Sequence, residues 1–167
     1  RSLIQKWKPP PSITDTPTEK LADELAKTIK AGLEGTDIKA GVLKTGAPYN
    51  CFTSYTERAL EAIAGAQIET GAPVYLHTSN GTMGVEQCEV LKREGTNMEK
   101  VAVGHIDRNP DPYYYRQLVK MGARLIFDSI SKVKYWPDSV HVENIRKLVE
   151  QGYDDRVMLS LDYGHYR

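Results

Sequence analysis

The sequence predicts an α/β fold, a parallel sheet closed into a (β/α)8 TIM barrel, of which this chain covers about five strand–helix units. Three observations lead there. Helical and strand-like stretches alternate five times between Thr18 and Asp162. The strand-like stretches are short and almost continuously apolar, as strands covered on both faces of a parallel sheet are. No glycine-rich phosphate turn follows the first strand, which disfavours an open doubly wound sheet; the glycines of Asn80-Gly81-Thr82-Met83-Gly84 form no such fingerprint.

Positions 1–16 carry Pro9-Pro10-Pro11 and little apolar periodicity, so they read as an extended connection. Leu21, Leu25, Ile29 and Leu33 then recur every fourth residue, a helix with one buried stripe, capped by Thr16 or Thr18 and ended near Gly32 and Gly35. Positions 38–43 follow as a strand that runs into Lys44, with Gly46 and Pro48 breaking the chain after it. The phrase then repeats. Helical positions 56–70 precede Val74-Tyr75-Leu76 and His77, and positions 83–94 precede Val101-Ala102-Val103-Gly104 and His105. Positions 113–121 precede Arg124-Leu125-Ile126-Phe127 and Asp128, and positions 140–150 precede Val157-Met158-Leu159-Ser160-Leu161 and Asp162.

The 167 residues suffice for one domain with a sizeable core. Lys plus Arg number 22, as do Asp plus Glu, so no net field draws a polyanion or an anionic membrane. Neither nucleic acid nor membrane is an expected partner, and no apolar run is long enough to span a bilayer. Cys51 and Cys88 have neither zinc-knuckle spacing nor the density of a disulfide scaffold, which suits a reducing cytoplasm.

In a parallel barrel the carboxyl ends of the strands converge on one mouth. Lys44, His77, His105 and Asp162 all fall at such ends, so the fold gathers them although the chain separates them. A single His there is ordinarily a hydrogen-bonded structural residue, and an Asp can cap a turn. Two His at equivalent places of successive repeats are better explained as ligands. A Lys that ends an apolar strand needs an anionic partner or chemical alteration.

Gly41-Val42-Leu43-Lys44, Leu76-His77-Thr78, Gly104-His105-Ile106-Asp107 and Leu159-Ser160-Leu161-Asp162 resemble, in order and spacing, the phosphotriesterase family of the amidohydrolase superfamily. The resemblance runs from about Thr18 to the end of the chain. It implies that Lys44 is N-carboxylated and bridges two divalent metal ions, zinc foremost, with manganese or cobalt as alternatives. It further implies that His77 and His105 hold the more exposed metal with Lys44. Asp162 touches the buried one and acts as general base. Asp107 is expected behind the ligands, orienting one of them or passing a proton. The family's His-x-His pair of the first strand is absent, since neither His141, read as a surface position, nor His165 forms one. A full barrel takes eight strands and about 250 residues. The chain therefore reads as one incomplete barrel domain over positions 1–167, lacking its first strands and last helix.

The loops after His77, His105 and the fourth strand look like the branch of the family that hydrolyses lactones of phosphorylated sugars. That branch needs a distal anion site, for which Lys134 and Arg167 are the candidates, with Lys132 as rival. Arg108 is read instead as pairing with a carboxylate. The implied reaction is lactone opening by a hydroxide shared between the metals. The alternatives are an organophosphate triesterase, an acyl-homoserine lactonase, or a non-catalytic, degenerate barrel that only binds. The expected partner is a small-molecule substrate. A homodimer is compatible with the sequence, which does not fix the number of chains.

Overall fold

A computed structural model describes residues 15–163. Five parallel strands lie side by side in chain order: β1 (Leu43–Ala47), β2 (Val74–Thr78), β3 (Val101–Gly104), β4 (Arg124–Phe127) and β5 (Val157–Leu159). Helix α1 (Thr18–Lys30) precedes the sheet. Helices α2 (Ser54–Thr70), α3 (Gly84–Arg93), α4 (Pro112–Lys120) and α5 (Asp138–Glu150) fill the four connections between strands. Parallel neighbours require such crossovers, so the alternation visible in the sequence and the strand order are one fact seen twice.

Side chains alternate across each strand. Leu43, Val74, Leu76, Val101, Val103, Leu125 and Phe127 point to the helices and pack with Leu60, Ile63, Leu91, Leu118 and Leu148 in one buried cluster. Phe127 meets Tyr115 of α4 edge to face, with ring centroids 5.4 Å apart. The other face carries Lys44, Tyr75, His77, Ala102, Ile126 and Met158. Its half near the amino ends of the strands is an apolar hollow of about 440 Å³ that includes Val42, Tyr75, Ala102, Ile126 and Met158.

The helices begin and end where local chemistry satisfies their ends. Thr53 accepts from Thr56 N to cap α2, and Gly71 closes that helix in the left-handed conformation that glycine tolerates (φ 67°). Asp111 caps α4 by accepting from Tyr113 N, with Pro112 in the first turn.

Three expectations are corrected. The first strand begins at Leu43, not at position 38: Leu33 N donates to Ile38 O and Ala40 N to Thr28 O. The chain before Leu43 is thus tied back to the end of α1, and Ile38 is 66% exposed. Neither Thr16 nor Thr18 caps α1. Pro17 occupies that place and supplies no side-chain hydrogen bond. Leu33 falls outside the helix and is 48% exposed, because Gly32 turns the chain at φ 111°. No helix among the described residues is long and apolar enough to cross a membrane.

Candidate metal centre

Among the described residues, six non-glycine residues adopt positive φ: Asn50, Asn80, Met83, His105, Ser131 and Asp162. All six follow a strand, at the carboxyl edge of the sheet. Asn and Asp tolerate this conformation, but at Met83, His105 and Ser131 it costs on the order of 1–3 kcal/mol each. Backbone strain gathered at one edge of a sheet marks that edge as the functional one.

His105 sits at its centre, directly after β3 and nearly buried. Asp128, directly after β4, grips it twice: one carboxylate oxygen accepts from His105 N at 3.1 Å and the carboxylate meets Nδ1 at 2.9 Å. This double grip offsets the left-handed backbone. It also places the ring proton on Nδ1 and leaves the Nε2 lone pair available for a metal, the usual arrangement behind a metal-ligating imidazole.

His77, inside β2, stacks edge to face on His105 with centroids 4.6 Å apart. Burial, then the nearby positive groups of His105, Lys44 and Arg108, push its imidazole down to about 4. His77 is therefore neutral at physiological pH, the form that binds metal. It lies against β1 through Gly46, where a Cβ would come within 2.5 Å of His77 O. Lys44 is the second residue of β1 and pairs in register with Tyr75, one layer beneath His77. Its Nζ lies 4.7 Å from the centroid of the Tyr75 ring.

Asp162 lies three residues past β5. Its Oδ2 accepts from Arg108 at 2.9 Å and from Lys132 at 3.3 Å, and stands 3.8 Å from His105 Nδ1. Burial would raise its carboxyl, but the charges of His105, Lys132 and Arg108 outweigh that and hold it below its ordinary value. It is an ionised carboxylate at neutral pH. His105, Asp128 and Asp162 together present three donor atoms within 4.8 Å of one another. Two imidazoles, a carboxylate held below its ordinary value and a nearby lysine amine form a donor set of the type divalent zinc, manganese or cobalt takes. The residues fit a metal site.

The structure places His77, His105 and Asp162 at the carboxyl edge, whereas Lys44, expected at a strand end, is the second residue of β1 and lies one layer beneath His77. Arg108 pairs with a carboxylate, as its position beside Asp107 suggested, and Lys132 binds Asp162 rather than facing outward as an anion site. Asp107 touches none of the four: it is fully buried, accepts from Ser129 N at 2.7 Å, and lies 3.6 Å from His141 Nδ1. It steadies the end of β4, one residue from Asp128. His141 is not a surface residue but 1% exposed, because α5 turns it inward onto Asp107. Arg167 and His165 lie outside the described residues.

Sequence reasoning passed over Asp128 and Tyr75. Asp128 directly follows its strand, as His105 follows β3, so the repeat itself was the signal. Tyr75 stands two residues before His77, hence on the same face of β2.

Beside the site opens a cleft of about 460 Å³ lined by Tyr49, Asn80, Arg108, Lys134, Tyr135 and Trp136. Arg108 and Lys134 flank the Tyr135 ring, at 4.6 and 5.0 Å from its centroid, and Trp136 Nε1 donates to Arg108 O at 3.0 Å. Arg108 therefore belongs to both the cleft and the metal centre. Lys134 makes no ion pair among the described residues.

A profile of the phosphotriesterase family matches residues 11–166. The chain belongs to the phosphotriesterase family. It is 36% identical to a phospho-furanose lactonase of Mycoplasmopsis synoviae, over 89% of this chain and 45% of that one. Among solved structures it matches the lactonase Lmo2620 of Listeria monocytogenes with a TM-score of 0.86 and 44% identity, covering 90% of this chain and 46% of that one. It matches the phosphotriesterase homology protein of Escherichia coli, complexed with phosphate in its active site, with a TM-score of 0.88 and 34% identity, over 92% and 53%. The chain spans about half the length of the curated relatives it matches. The five parallel strands and their helices are accordingly part of the α/β barrel of this phosphotriesterase family, the fold class the sequence predicted.

Proposed function

We propose that this chain carries the metal centre of a hydrolase that opens the lactone ring of a phosphorylated sugar. The observation that carries the reading is the continuity of the strand-end cluster with a cationic, aromatic cleft through Arg108, which leaves Lys134 to meet an anion a short distance from the reacting bond. A lactonase of phosphorylated furanoses among the relatives, and phosphate in the active site of another, support it.

His77 and His105 would hold one divalent ion together with an N-carboxylated Lys44, and Lys44 with Asp162 the other. Bound there, the ions supply the acidity that turns water into a nucleophile near neutral pH and polarise the lactone carbonyl. The remaining work falls to the chain. Asp128 fixes the His105 ring. Arg108 and Lys132 engage Asp162 through Oδ2, leaving Oδ1 to take the proton of the attacking water and return it to the ring oxygen that leaves. Lys134, with Arg167 as second candidate, clamps the terminal phosphate, while Tyr135 and Trp136 wall the sugar.

Assaying a sugar lactone with and without its phosphate tests this directly. The phosphorylated compound is expected to show the higher kcat/KM, and Lys134→Ala to erase most of that preference by raising KM. Faster turnover of an organophosphate triester or an acyl-homoserine lactone would favour the uncharged-substrate reading, and no turnover with metal bound would favour a binding role.

A further inference from the structure

One residue of the site remains without a role. Tyr75 is half-buried on the same face of β2 as His77, and it touches two of the four candidate ligands. Its hydroxyl lies 3.4 Å from His105 Nε2, and its ring lies beneath Lys44 Nζ. His105 Nδ1 is already committed to Asp128, so Nε2 is the metal-facing nitrogen. The hydroxyl reaches it only because residue 104 is glycine: a Cβ there would overlap the Tyr75 hydroxyl.

We propose that Tyr75 is a positioning residue of the metal centre, its ring seating the Lys44 side chain and its hydroxyl donating a hydrogen bond into the space enclosed by His105 Nε2, His77 and Lys44. The proposal rests on the metal-centre reading above. A hydroxyl one hydrogen bond from a ligating nitrogen lies next to whatever that nitrogen holds, and a phenol hydroxyl there can donate to an anionic oxygen of the site. The ring offers the flat face that a lysine stem and ammonium settle on. Once Lys44 is carboxylated, the same donor faces an acceptor instead of a cation, which favours the modified form. Orienting groups of this kind set metal affinity through the geometry they impose on the ligands.

The test uses cobalt(II) as the probe. Titration of wild type, Tyr75→Phe and Gly104→Ala would be followed by visible absorption and by competition with a chelator, alongside the thermal midpoint of each metal-free protein. Tyr75→Phe keeps the ring and removes the donor, whereas Gly104→Ala keeps the hydroxyl and displaces it. Both are expected to weaken cobalt binding by roughly 10- to 100-fold and to alter the spectrum of bound cobalt, with the metal-free midpoint of Tyr75→Phe unchanged. Unchanged affinity and spectrum in Tyr75→Phe, while wild type binds cobalt, overturns this inference alone. Weakening that merely tracks a lowered metal-free midpoint also overturns it, by assigning Tyr75 to the scaffold. A wild type that binds no cobalt overturns the metal-centre reading and this inference together.

Discussion

Asp162→Asn is expected to lower kcat on the phosphorylated lactone by roughly 10²- to 10⁴-fold, the range a positioned general base contributes, with the thermal midpoint nearly unchanged. The reason lies in how Asp162 is held. Its Oδ2 accepts from Arg108 and Lys132, and an asparagine oxygen can accept the same two bonds. Its side chain is about half exposed (47%), so the substitution opens no cavity; the largely buried Arg108 and Lys132 lose a charged partner but keep their hydrogen bonds, and Arg108 keeps Asp128 at 3.9 Å. What is lost is the negative charge and the ability to take a proton at Oδ1. Turnover measured at saturating metal separates this loss from weakened ligation. A variant that keeps most of its rate would remove Asp162 from the role of base.

Gly46→Ala is expected to disable the site from the side. A Cβ at Gly46 would lie 2.5 Å from His77 O and 2.6 Å from His77 Cβ. The opposing atoms are backbone and Cβ, which cannot swing aside as the end of a flexible side chain can. Strands β1 and β2 must separate, at a cost of about 1–3 kcal/mol for an overpacked contact. His77 moves with its strand, so loss of bound metal is expected to exceed what the stability change alone would cause. Calorimetry of the metal-free protein and metal content after gel filtration read the two effects. Full metal content in a stably folded Gly46→Ala protein would show that β1 does not set the position of His77.

Much of this was legible in the sequence because parallel barrels write their architecture as a repeat. Apolar strands of four or five residues, each reached through a helix, fix both the class and the edge where functional side chains gather. His77 and His105 could be picked out because each follows a short apolar run, although in the sheet His77 lies inside β2 opposite Gly104 and His105 just after β3. The start of β1 was not legible: Ile38 and Val42 are apolar enough for a strand, but hydrogen bonds to Thr28 and Leu33 claim the backbone between them and α1 first. Long-range burial was equally hidden at His141, whose surroundings in sequence are those of an ordinary amphipathic helix. It is buried facing Asp107, a residue far away in the sequence. Asp128 and Tyr75 are chemically ordinary in sequence and gain meaning only from the atom they meet, His105.

The central claim is that Lys44, His77, His105 and Asp162 form one metal centre with a chemically altered lysine. A crystal structure of the protein prepared with zinc and bicarbonate tests it most directly. The expected result is a carboxylate on Lys44 Nζ with zinc at His105 Nε2 and His77. A bare Lys44 amine resting on the Tyr75 ring, with no metal at His105 Nε2 under those conditions, would contradict it.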